Sequence, residues 1–111
     1  MSIDHTLIEK RTEIARSAIK AAYGTEEDEY GVTLFVSHHL AEIEKSYWNE
    51  QFQAESPEPM QILESLILRS KFEDEDELDS FDFTLPGNVT DYVICVSFND
   101  NGRIEDITME S

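Results

Sequence analysis

Residues 80–111, SFDFTLPGNVTDYVICVSFNDNGRIEDITMES, decide how this chain folds. Apolar and polar residues alternate along it in short runs, the period of strands with one buried face. Asn101-Gly102 is the favoured pair for a two-residue type I′ hairpin turn, because both central positions need positive φ. A hairpin about that turn sets Val96 opposite Ile107 and Ile94 opposite Met109. A one-residue slip would put Val96 against Asp106, so apolar pairing supports the register. Upstream, a four-residue loop Pro86-Gly87-Asn88-Val89 pairs Phe83 with Tyr92 and Phe81 with Ile94. Phe81, Phe83, Leu85, Tyr92, Ile94, Val96, Phe98, Ile107 and Met109 then share one face. The reverse face carries Asp82, Thr84, Asp91, Cys95, Ser97, Asp106 and Thr108, interrupted by Val93 and Ile104. The stretch reads as a three-stranded antiparallel meander, with strands at about 81–85, 90–99 and 103–109.

A small sheet needs a cover, and the preceding residues supply helical patterns. Residues 4–23 carry Leu7, Ile14, Ala18 and Ala22 in one stripe with Ile8, Ala15 and Ile19 beside it; Asp4 is a candidate N-cap and Gly24 the stop. Glu26, Glu27, Asp28 and Glu29 suit the first turn of a helix, but Gly31 interrupts, so residues 25–31 stay unassigned. Val32, Phe35, Val36, His39, Leu40, Ile43 and Tyr47 then keep helical spacing, predicting a helix over 32–50. Ser56 followed by Pro57 opens a third helix, about 57–71, with Met60, Leu63, Ile67 and Ser70 in line and Ile62 and Leu66 adjacent. The expected architecture is a single α+β domain over 1–111: three N-terminal helices packed on one face of a C-terminal three-stranded meander.

Charge is the most unusual total. The 111 residues hold 25 acids against 8 bases, a formal net of −17. Residues 1–23 have four bases and three acids, so the other residues carry −18. Such a surface repels phosphates and anionic membranes, so neither nucleic acid nor membrane is an expected partner. A charge-steered partner would be a basic protein. With one cysteine, Cys95, an intramolecular disulfide and a Cys-based zinc site are excluded. No apolar run reaches membrane-spanning length, and MSIDHTLIEKR lacks a signal-peptide layout, so a cytoplasmic location is expected.

Chemistry-bearing patterns are sparse. The run Glu73-Asp74-Glu75-Asp76-Glu77-Leu78-Asp79 fails as a calcium loop. From Asp74, the fifth position is Leu78 and the sixth Asp79, where an oxygen ligand and a glycine are needed. Asp74, Asp76 and Asp79 are read instead as a solvated or partner-facing acidic patch. His38 and His39 are adjacent, so on a helix they diverge by about 100° and cannot chelate one ion from a single face. Glu42 lies four residues from His38, which leaves an enzyme or metal or small-ligand site built on His38, His39 and Glu42 as the alternative. No phosphate-binding loop, dinucleotide fingerprint, nucleophile elbow or zinc-protease motif occurs. No cofactor, metal or catalytic residue is assigned. Tyr47, Trp48 and Phe52, at the end of the predicted second helix, are the candidate partner-binding aromatics.

Asp82-Phe83-Thr84-Leu85-Pro86, Val89-Thr90-Asp91-Tyr92-Val93-Ile94, the Asn101-Gly102 turn and Met109-Glu110-Ser111 resemble a small bacterial domain family of unknown function. His38-His39-Leu40 and Tyr47-Trp48 are similar to it as well, so the resemblance spans about residues 30–111. It implies a bacterial, cytosolic, compact domain and carries no catalytic residue. The expectation is a small acidic interaction protein, in one form immunity- or antitoxin-like, acting as a monomer or a weak homodimer through its terminal strand.

Overall fold

The computed structural model describes residues 5–69 and 79–110. Helix α1 runs His5–Ala22, close to the expected 4–23, but Ile14 of the expected stripe is exposed; the Asp4 cap lies outside the described residues. Ala15 and Ile19 are fully buried, and Leu7, Ile8 and Ala22 pack beside them. Two of the four bases of α1, Arg11 and Arg16, turn towards the sheet, whereas Lys20 meets Glu64 on the later helix Pro59–Ser65 and Lys10 is exposed. The Arg11 and Arg16 guanidinium carbons lie 5.3 and 5.2 Å from the Phe98 and Phe83 ring centroids. Arg16 also donates to the Leu66 carbonyl at 2.6 Å. Their guanidinium groups lie over aromatic faces while their stems cover apolar surface.

The unassigned stretch after α1 holds a single 3-10 turn, Glu26–Asp28, ahead of helix α2, Val32–Glu42. Asp28 is buried, and its carboxylate accepts from the Val32 and Thr33 amides at 3.0 and 2.7 Å and from the Thr33 hydroxyl. Those amides begin α2 and have no partner within the helix. The Thr33 hydroxyl accepts in turn from the Gly24 amide at 2.9 Å, tying the end of α1 to the start of α2.

The predicted helix over 32–50 is two helices. After α2, Ile43 and Glu44 are extended, and α3 spans Lys45–Phe52. In a continuous helix Trp48 would lie about 160° around the axis from Val32, on the solvent side. The break turns the indole inward, where it is 1 % exposed. The third predicted helix is shorter than expected. Helix α4 is Pro59–Ser65, with Pro59 rather than Pro57 in its first turn and a reciprocal capping box between Glu58 and Gln61. Ile62, Leu63 and Leu66 are buried, whereas Met60 and Ile67, expected in the apolar line, are exposed; Ser70 lies outside the described residues. Leu66 ends the helix, and Ile67–Leu68 form a short strand, β1.

Among the described residues the sheet therefore has four strands, not three. With β2 at Ser80–Thr84, β3 at Val93–Phe98 and β4 at Ile104–Glu110, the order is β1-β2-β3-β4, antiparallel throughout. Phe81, Phe83, Leu85, Ile94, Val96 and Phe98 form the sheet's share of the core, closed by Val32, Phe35, Val36, Ile62 and Leu63 from the helices. Tyr92 does not join them; it precedes β3 and is 36 % exposed.

One register and one turn differ from expectation. Phe81 pairs with Val96 and Phe83 with Ile94, two residues from the expected partners. Because the slip is even, every side chain keeps its face. It follows from a longer connection, Leu85–Tyr92, turned by Gly87 and Asn88 at positive φ. Between β3 and β4, Val96 does pair with Ile107 and Ile94 with Met109, but the turn differs. Gly102 has positive φ and Asn101 does not, and Asn99 bonds both Gly102 and Arg103 across a three-residue loop. That is a type I turn closed by a left-handed glycine. The loop shifts the pairing to Phe98 with Ile104, and a bulge at Glu105 shifts it back. The bulge also puts Ile104 against the core, although strict alternation sends it to the reverse face.

Candidate functional site

The polar side chains that the fold brings together converge on the Leu85–Tyr92 connection. His39 is 1 % exposed, and both ring nitrogens are engaged. Nδ1 lies 2.6 Å from the Phe35 carbonyl oxygen one turn back on α2, an atom that only accepts, so Nδ1 carries the proton. Nε2 is then an acceptor, and the Thr90 hydroxyl donates to it at 2.9 Å. Thr90 Oγ1 accepts the Tyr92 amide at 3.2 Å. Burial pushes His39 below the ordinary histidine value; the Phe35 carbonyl opposes this and the neighbouring His38 reinforces it. Tyr92 packs edge-on against both imidazoles, 5.1 Å from His38 and 5.8 Å from His39. At the other end of the connection the Tyr47 hydroxyl donates to the Pro86 carbonyl at 2.7 Å. Burial pushes the Tyr47 phenol above its ordinary value. Two helices thus hold one irregular segment.

The residues singled out from the sequence fall in different surroundings. Tyr47 and Phe52 are half-buried on α3, flanking the buried Trp48 at ring separations of 5.0 and 6.0 Å. Trp48 Nε1 has no hydrogen-bond partner among the described residues. Asp79 is exposed beside β2; Asp74 and Asp76 lie outside the described residues. His38 is half-buried and Glu42 exposed. Glu42 lines a shallow cavity of about 280 Å³ with Ile43, Glu44, Tyr47 and Val89, and neither histidine lines it. Among the described residues no three His, Cys, Asp or Glu side chains are grouped to hold a metal ion. The Cys95 thiol is pushed up to about 11 by burial first, then by Asp82 and Glu110, with Ser97 opposing.

One surface went unread in the sequence. The α1–α2 connection exposes Glu26, Glu27 and Glu29 beside Tyr30, which at 77 % is the most exposed large hydrophobic among the described residues. A shallow groove of about 460 Å³ runs from Ala18, Ala21 and Ala22 on α1 past Glu27 to Asp106 and Ile107 on β4. The density of acids was visible in the sequence. That Tyr30 faces outward was not, because the stretch has no helical or strand period.

Among the described residues no helix is long and apolar enough to cross a membrane. No family model, curated protein or solved structure matches the chain.

Proposed function

We propose that this chain is a small acidic, non-enzymatic interaction domain that binds a basic protein, the concrete form being immunity- or antitoxin-like masking of a basic surface. The observation that carries the reading is the charge: with 25 acids and 8 bases, most carboxylates have no cation within the chain to meet. Apart from Asp28 and Asp82, every described acid is exposed. Such a field steers a cationic partner and repels polyanions. The contact residues we assign are Glu26, Glu27, Glu29 and Tyr30, with the exposed Asp79 kept as a separate acidic position. Tyr47 and Phe52 stay in the assignment where they reach the surface, backed by Trp48; Asp74 and Asp76 belong to it on sequence alone. Placing the chain beside a bacterial, cytosolic family of unknown function, as its C-terminal motifs suggest, is part of the same proposal.

The domain acts as a monomer on this reading. The exposed edge of β4 is blunted: Asp106 Oδ1 accepts the Ile107 amide at 2.9 Å, and Gly31 lies against the Ile107 carbonyl. Both features disfavour strand pairing with a second copy.

Affinity capture from cell extract, repeated with Glu26, Glu27 and Glu29 replaced by lysine, tests the reading. A basic protein should be retained at low salt, released near about 0.5 M salt, where screening is nearly complete, and lost by the charge-reversed variant. Failure to capture any specific protein, or a partner indifferent to both salt and charge reversal, refutes it.

A further inference from the structure

We propose that the Leu85–Tyr92 connection is an acid-released flap, latched to α2 by the hydrogen bond from Thr90 to His39. The latch joins residues 51 apart in the chain through one acceptor nitrogen. That nitrogen can accept only while the imidazole is neutral, and the Phe35 carbonyl fixes the required tautomer.

Acid changes the chemistry of the latch. A proton on Nε2 turns it into a donor, so the Thr90 hydroxyl must rotate to accept and gives up its own bond. The imidazolium then lies 1 % exposed. The groups facing the ring are Phe35 and His38 from α2 and Thr90 and Tyr92 from the connection. The titratable ones are His38 and Tyr92, and neither is a carboxylate. Burying an uncompensated charge is costly, and only one side of the ring can open to water. On the helix side lie Phe35 and the closed core; on the other lie Thr90 and Tyr92, which belong to no strand. Lifting the connection hydrates the ring without breaking the β2–β3 ladder, which ends at Phe83 and Ile94. At the far end, Tyr47 keeps its bond to Pro86 in acid, because a phenol titrates only at alkaline pH. Arg69 and the Thr84 hydroxyl likewise keep their bonds to the Asp91 and Tyr92 carbonyls, at 3.3 and 2.9 Å. The segment is therefore held at Pro86 and at Asp91–Tyr92 and freed between them at Thr90, whose hydroxyl oxygen is the Tyr92 amide's partner.

Native-state hydrogen exchange, expressed as protection factors so that intrinsic pH effects cancel, tests this directly. Between about pH 7 and about pH 5, the Tyr92 amide should lose about tenfold or more of its protection while Ile94 and Val96 keep theirs. In Thr90→Val, which preserves shape and removes the hydroxyl, Tyr92 should be poorly protected at both pH values. A direct titration of the His39 ring carbons in the unmodified protein supplies a second readout. Loss of Tyr92 protection should follow the His39 midpoint and not that of His38. Undiminished Tyr92 protection in acid, a loss shared equally by β3, or a midpoint matching His38 overturns the proposal.

Discussion

A Cβ added at Gly31 would overlap the Asp28 carboxylate and come within 3.3 Å of the Ile107 carbonyl oxygen. The glycine is needed because three elements meet there: the turn carrying Asp28, the first residues of α2 and the edge of β4. Gly31→Ala should therefore destabilise the domain by about 2 kcal/mol, typical of steric overpacking. Asp28→Ala should cost a similar about 1–2 kcal/mol through the lost helix cap. Urea denaturation of both single variants and the double measures this. Their effects should be less than additive, since removing the carboxylate relieves the clash at Gly31. A glycine before a β-branched run reads in sequence as a helix interruption, and that much was legible. Its role as a contact point was not, since Ile107 is distant in the chain.

Helix α3 owes its orientation to the two extended residues Ile43 and Glu44, and Trp48 records the result. As the chain's single tryptophan it reports alone. Its emission should be blue-shifted and resist acrylamide quenching in the native state. Trp48→Ala should cost about 3–5 kcal/mol, as for other large core residues. An exposed, readily quenched indole would contradict the placement. The alternating strands were the most legible elements because a buried face imposes a period of two on side chains. Strand β1 was illegible for the converse reason: two residues, Ile67 and Leu68, carry no period. They continue the apolar pattern of α4, and only pairing with Thr84 and Phe83 makes them a strand. The candidate site divided in the same way. His39 and Tyr47 could be flagged by residue type, yet Thr90 and Pro86, their partners, lie in a segment whose course depends on the β2–β3 register.

For the molecule as a whole, the shifted groups define a pH window of maximal stability. The folded pKa of His39 lies below its ordinary value of 6.5. As pH falls through that value, the unfolded chain takes up a proton that the folded chain resists, so stability is full above it and declines below. On the alkaline side the folded values of Cys95 and Tyr47 are raised, from 9.0 to about 11 for Cys95 and upward from 10.0 for Tyr47. There the unfolded chain releases protons first, and stability declines as pH rises past about 9. Urea midpoints should form a plateau between these limits. His39→Gln should flatten the acid slope above about pH 5, before the carboxylates protonate, and Tyr47→Phe should reduce the alkaline one. A plateau extending unchanged to about pH 5 in the unmodified protein would contradict the burial of His39.

The bulge at Glu105 makes this hairpin a place where chain length can change without rewriting the fold. The three-residue turn already pairs Phe98 with Ile104, and beyond the bulge Ser97 pairs with Asp106. Deleting Glu105 would therefore join two stretches already in compatible register. Ile104 and Ile107 would still face the core. The shortened protein should fold with a circular dichroism spectrum like that of its parent and a stability within about 1 kcal/mol of it. Deleting Thr108, two residues from the strand's last rung, would instead reverse the face of Met109 and Glu110. Natural length variation in such a domain would be tolerated at Glu105 and selected against at Thr108.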